Sequence, residues 1–538
     1  MKEMARPQKT RREILRYVGV ATGVVGLGGL AAACAPATTL PTTSVPAATG
    51  PAASAAAAQP KAGGTLTVGM QFPIQLADPH NYKGSGDYAI FANVYDRLVE
   101  LDVATLKPLP SLATSWRSLD DTTWELKLRK DVKFSDGTPF NATAAKVNLE
   151  RAMTGSGSTP FAGIIASVQA PDSETIVLKT KTPYSQTIFN LGQFAMSIVA
   201  PSSIDKGKDY LSTNGIGTGS FVIKEWVTGD RVTLERNPTS WKTPAKLDKV
   251  VLRTIQNENT RLAALQAGDV DLMVNPPAAT VKQLSGDSRL LVTKLPIART
   301  YFLMYQLQDP IMKNVKVRQA IAAAINRKAI VEQVTEGLLR PANGFLPPEA
   351  LDGAGSDPGF QIAYDPEKAR QLLKESGVDL AAVRLKMLPE RSIVSADAVA
   401  LAIQEDLKKV GLNADIVQVE SAALNDRYKT YQYQVGPQSW GLPDPDTSLR
   451  KVFSARGPWH YPNLQDPAFE AKLDEASATL DDTKRLAIYK GIFRDMLENA
   501  VYLPLVHDVI VIASNKKVQG VNWSPLNAPS LSNTSLSS

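Results

Sequence analysis

The chain has 538 residues, 43% apolar and 21% charged, with 59 Lys or Arg against 53 Asp or Glu and a formal charge of +6. That length exceeds what one hydrophobic core organises, so two or three lobes are expected in a soluble, globular body. Residues 1–33 hold six basic and two acidic side chains, leaving +2 for everything after them, so no basic surface for nucleic acid is implied, and a single cysteine excludes a disulfide framework and a Cys-rich metal site.

Residues 1–33 predict an export signal. A basic region containing TRREILR precedes an uncharged run from Val18 to Ala33, too short and too rich in glycine to span a membrane. TRREILR resembles the twin-arginine export motif, with a general secretory signal as the alternative. Leu30 to Cys34 resembles a lipoprotein processing box, although Ala31 stands where a larger aliphatic residue is usual. Cys34 is expected to be the acylated first residue of the mature chain, held at a membrane by about 0.8 kcal/mol per buried methylene; the alternative is an incidental thiol. Residues 34–60 are Ala, Pro, Thr and Ser with little else, which predicts a flexible tether.

The folded part opens with a strand, Thr65 to Gly69, and a loop ending Ala77-Asp78-Pro79-His80. Ile90, Val94 and Leu98 predict a helix over 90–101. Trp124, Leu126 and Leu128 alternate with charged residues as in a strand with one buried face. A second strand, Val132 to Phe134, is expected to reverse at Ser135-Asp136-Gly137 and lead into a helix capped by Asn141 or Thr143. Phe221–Trp226 and Arg231–Arg236 read as a hairpin about Thr228-Gly229-Asp230. The glycines at 215, 217 and 219 precede a strand, not a helix, so they are not a phosphate cradle, and no Walker lysine pattern occurs. A short helix within 260–273 ends at Gly268; a longer one starts near Val315 with Val317, Ala320, Ile321 and Ala324 on one face. Asp365-Pro366 starts another that Gly377 stops. Between 383 and 419 the order strand, helix, strand predicts a βαβ unit, and Tyr431–Val435 a strand leading into GPQSWGLPDPDTSL. Loops at the carboxyl ends of such strands are where ligands sit.

Several stretches, in order, resemble a known family: GGTLTVGM with LADPH, then ATSWRSLDDTTWELKLRKDVKFSDGTPFNATAAKVNLERA, NPTSW, KLDKVVLRTI, TRLAALQAGDVDLM and NVKVRQAIAAAINRKAIVEQV. Their wording is similar to that of family 5 extracellular solute-binding proteins, the peptide-, nickel- and oligosaccharide-binding subunits of ATP-binding cassette importers. The resemblance implies a two-lobed α/β fold of periplasmic-binding-protein type II (Venus-flytrap) with an extra α+β subdomain. One lobe comprises 60–105, 208–298 and 506–538; the subdomain is 106–207; residues 299–505 form the other lobe. It further implies a monomer outside the cytoplasm that catalyses nothing, needs no cofactor or metal, closes on a small solute, most simply a peptide, and delivers it to a permease.

The chemical inventory agrees with binding. His80, His460 and His507 are scattered, and no HExxH pair or GxSxG elbow is present. In Trp440 to Asp446, WGLPDPD, two prolines stiffen a loop in which Trp440 and Gly441 offer a recognition wall and Asp444 a carboxylate for a cationic or hydroxyl-rich ligand. The competing reading has Trp440 filling core and the aspartates capping the next helix. In peptide-binding relatives the third residue after such a tryptophan is an aspartate that pairs with the ligand's α-amino group; here it is Pro443, and Asp444 is the nearest carboxylate. By resemblance Tyr82 and Tyr305 line the site, and Trp459 in GPWHY joins them from its loop context. The rival functions are a lipid-anchored secreted hydrolase and a ligand-presenting sensor subunit.

Overall fold

A computed structural model describes residues 60–537 apart from 62, 349, 354, 356–361, 391–394, 420, 442, 443 and 525. The expected export signal, Cys34 and almost all of the tether lie outside the described residues, as do Leu442 and Pro443.

One twisted sheet runs through most of the molecule. Its strands lie in the order Asn413–Ile416, Arg384–Met387, Val435–Trp440, Leu290–Tyr305, Tyr502–Asn515, Leu272–Val274, Thr65–Met70, Lys249–Thr254, Arg231–Arg236 and Phe221–Val227. Two cores pack on it. Leu66, Val68, Phe91, Leu234, Val250 and Leu272 belong to one, and Phe302, Phe345, Ile403, Leu407, Phe453 and Phe493 to the other. Only the two long antiparallel strands, Leu290–Tyr305 and Tyr502–Asn515, contribute heavily to both: Ile297, Ile510 and Ile512 lie in the first core, Tyr301 to Tyr305, Leu503 and Leu505 in the second. Their pairing slips near the middle, next to a stretch where Val509 and Val511 face the second core and Ile510 and Ile512 the first. Pro296 faces Val509 and Thr300 faces His507, so Ile297, Ala298 and Arg299 oppose Asp508 alone. An irregularity of this kind bends a strand and re-aims its side chains.

A third core, with Leu126, Leu128, Leu149, Ile176 and Leu178, sits in a separate four-stranded sheet and the helix Ala142–Ala152. The Asp-Pro-His loop is fastened to that helix. Asp78 accepts two bonds from Arg151, at 2.7 and 2.6 Å, while His80 accepts from Arg151 at Nδ1 and donates from Nε2 to the Ser197 carbonyl. Burial and the Arg151 charge press the His80 imidazole down to about 4, so it is neutral at physiological pH.

Local signals place most helix ends correctly. Asn141 caps Ala142–Ala152 by accepting the Ala144 N–H, Gly268 ends Glu258–Ala267 at φ 83°, and Asp365 and Gly377 bracket Pro366–Ser376. Val315–Ala324 is helical, Phe221–Val227 pairs with Arg231–Arg236, and Arg384–Met387 and Asn413–Ile416 are parallel strands flanking the helix Ala396–Lys409.

Three expectations need correction. The helix predicted over 90–101 is Tyr88–Val94, and Val99–Leu101 is a strand. Stopping there lets buried Asp96 collect the Thr218 hydroxyl, the Trp241 indole N–H and Lys242, which no helical periodicity reveals. Val132–Phe134 makes a single bridge, Lys133 to Pro139; the partners of Thr123–Leu128 are Ala113–Ser118 and Thr175–Thr180. The strand expected at 431–435 instead begins at Val435 and ends at Trp440.

Candidate ligand-binding cleft

Parallel strands Thr65–Met70 and Leu272–Val274 deliver Gln71, Phe72, Asn275 and Pro276 to one wall of a cavity of about 690 Å³. Opposite stand Ser395 to Ala398, at the start of Ala396–Lys409, and the floor is the slipped segment with Ile297, Arg299, Tyr301 and Asp508. The cavity is therefore lined from both cores, at the carboxyl ends of parallel strands, and its size falls in the range of small-molecule sites.

Buried Arg261 shapes the first wall. It donates to the carbonyl oxygens of Ile255, Gln256, Val274 and Asn275 at 2.6–3.1 Å. Gly69 makes room for it, since a Cβ there would stand 3.1 Å from Arg261 Cγ. Asn275, held at φ 48°, donates its side-chain amide to Gln71.

Arg299 is the cation on the floor, beside Asp508. Its guanidinium lies 3.6 Å from the Asp508 carboxylate, and no hydrogen bond uses its donors among the described residues. Burial raises the Asp508 carboxyl above its ordinary pKa, with Arg299 opposing. A planar cation with unused donors in a partly dry cleft is suited to a carboxylate.

Trp440 and Trp459 come together, with ring centroids 4.4 Å apart and Tyr461 beside Trp440 at 6.3 Å. Trp440 is the last residue of its strand and pairs with Thr300; a Cβ on Gly441 would stand 3.5 Å from Arg299 Nε. None of Trp440, Gly441 and Trp459 lines the cavity itself, although Gly441 stands beside Arg299.

The other expected residues are placed elsewhere. Asp444 is 1% exposed and caps Pro445–Val452 by accepting the Thr447 N–H at 2.9 Å. Pro445, free of an N–H, fixes the helix start and so assigns its neighbour to the cap, in place of the ligand contact expected of Asp444. Burial first and Asp446 second push the Asp444 carboxyl up to about 6. Asp446 is structural, receiving Arg450, the Ser477 hydroxyl and the Tyr489 hydroxyl. Tyr305 is fully buried in the second core and is not among the residues lining this cavity. Tyr82 packs on Tyr88 at 5.2 Å, with Gly157 against its ring, away from the cleft-lining residues.

Sequence reasoning missed Arg299, Asp508 and Asn275. A signal was present for two of them: Arg299 and Asp508 are lone charges inside the apolar runs LPIARTYFLMY and YLPLVHDVIVI, and a charge at such a position needs a partner or a ligand.

The family model of bacterial extracellular solute-binding proteins, family 5, matches residues 107–459. The chain is 28% identical over 476 residues to the glutathione-binding protein GsiB of Shigella dysenteriae, covering 85% of this chain and 91% of that protein. It is 28% identical over 477 residues to the dipeptide-binding protein of Escherichia coli K12, covering 82% and 89%. The periplasmic binding protein DppA of Helicobacter pylori, solved in complex with the peptide STSA, superposes with a TM-score of 0.72 at 26% identity, covering 89% of this chain and 99% of that one.

Proposed function

The chain belongs to the family 5 bacterial extracellular solute-binding proteins, the two-lobed type II subunits that bind solute for ATP-binding cassette importers and are not enzymes, and from that premise we propose that it captures a small peptide-like solute through a carboxylate at Arg299. The observation that carries this reading is Arg299 itself, a cation with unused donors on the floor of a cleft lined from both cores. The peptide and glutathione named for its relatives support the substrate class. In this reading 60–105, 208–298 and 506–538 are one lobe, 106–207 its subdomain and 299–505 the other lobe. Cys34 carries the lipid anchor and 35–60 the reach to the permease, and the protein acts as a monomer.

The solute contacts both lobes only when they close, so closure is stabilised by the difference in contact between the two states. Mass spectrometry of small molecules released on denaturing the freshly isolated protein is expected to find a carboxylate-bearing peptide. In calorimetry with that peptide, Arg299→Gln is expected to weaken binding by about 2 to 5 kcal/mol, the range for truncating one side of a buried charge pair. Undiminished affinity in the variant removes Arg299 from the site.

A further inference from the structure

A second cation stands between two aromatic rings outside that cavity's lining. Lys451, on the helix Pro445–Val452, holds its Nζ 5.2 Å from the Phe161 ring centroid and 5.4 Å from that of Trp459. Phe161 comes from the short helix Thr159–Ala162 beside the four-stranded sheet, whereas Lys451 and Trp459 pack with the second core. Two aromatic faces about a cation are the means by which proteins hold an alkylammonium. Here the chain's own lysine fills that place. Burial lowers the Lys451 pKa and the Asp444 charge opposes the change, yet no carboxylate lies within 4 Å of Nζ among the described residues.

The other face of this region has donors in excess. The Trp440 indole N–H is buried without a partner. A buried N–H is expected to find an acceptor. Around the stacked tryptophans there are therefore an ammonium and an unpartnered indole N–H; Asp444 serves as a helix cap, and Glu390 is taken by the Ser439 N–H and hydroxyl.

We propose that Lys451 and Trp440 are specificity-determining residues: they take an oxygen-rich anionic group of the solute, such as a carboxylate, and exclude a protonated amine from the place the lysine occupies. The proposal rests on the peptide-like reading of the cleft and adds that the solute bears acid at both ends, one for Arg299 and one for Lys451. Trp440 supplies the hydrogen bond that orients the group and Trp459 the apolar face beneath it.

Calorimetry on the intact protein with succinyl-Ala-Phe and with Ala-Ala-Phe tests this. The succinylated probe is expected to bind about tenfold more tightly, a preference of about 1.4 kcal/mol. In Lys451→Met the two are expected to bind about equally, with Lys451→Arg restoring the preference. A preference for the free amine, or a preference that Lys451→Met leaves unchanged, overturns the proposal. Tryptophan fluorescence titrated with glutarate and with cadaverine separates this from the peptide reading. If neither peptide binds but glutarate alters the emission of the wild type and not of Lys451→Met, the anionic subsite stands and the peptide reading falls. If cadaverine acts instead, or glutarate acts equally on both proteins or on neither, the subsite falls.

Discussion

Asp444 is a carboxylate whose structural duty and charge conflict. Its oxygen caps a helix, but burial and the neighbouring Asp446 push its carboxyl up to about 6 from an ordinary 3.8. Because the folded value lies above the unfolded one, the native state binds the proton more tightly, so this group's contribution to stability is greatest below about pH 4 and is lost as pH rises through 6. Asn caps a helix about as well as Asp and carries no charge. Asp444→Asn should therefore match the wild type near pH 4 and exceed it at pH 7.5 by up to about 3 kcal/mol, at 1.36 kcal/mol per pKa unit. Urea denaturation of both proteins at the two pH values measures the difference; a pH-independent difference would mean that Asp444 is not strained by its charge. The Arg151 pair has the opposite character. Removing the guanidinium in Arg151→Met leaves Asp78 buried beside a neutral His80, and a loss of about 3 to 5 kcal/mol is expected from the same denaturation measurement.

At the scale of elements, the boundaries written in local chemistry were legible: Asn141, Asp365, Gly268 and Gly377 act within one turn of themselves. Boundaries fixed by distant partners were not. Asp96 stops a helix through Thr218, Trp241 and Lys242, more than a hundred residues away. The strand Val435–Trp440 was hidden because Gly436 and Pro437 look like breakers. Gly436 is required there by close approach, since a Cβ would overlap the hydroxyl of buried Tyr428, which donates to the Leu388 carbonyl. Gly436→Ala is expected to cost about 1 to 3 kcal/mol by overpacking. Adding Tyr428→Phe removes the overlapping oxygen and should recover part of that loss in thermal melts. If the second change only adds to the first, the contact is not the cause. The cleft was hard to read for a related reason: Arg299 and Asp508 meet only because two strands slip past each other, whereas a loop's composition pointed to Trp440, Gly441 and Trp459, none of which lines that cavity.

At the scale of the molecule, the slipped pairing joins mechanics to recognition. The two cores meet on the strands Leu290–Tyr305 and Tyr502–Asn515, whose ladder is interrupted between Pro296 and Thr300. Bending there costs the fewest regular ladder bonds, so if the proposed closure occurs the hinge is expected at this step. Arg299 sits inside that step, so under the proposed reading a carboxylate bound there would lie at the pivot, between the two walls. Ligand occupancy and closure should then be one event, with no ligand-bound open state of appreciable lifetime. Solution scattering of protein stripped of small molecules, before and after these are returned, is expected to show a smaller radius of gyration on return. Arg299→Gln should blunt that compaction in proportion to its loss of affinity and recover it at saturating ligand. A variant that binds fully yet stays expanded would separate recognition from closure and move the hinge away from this step.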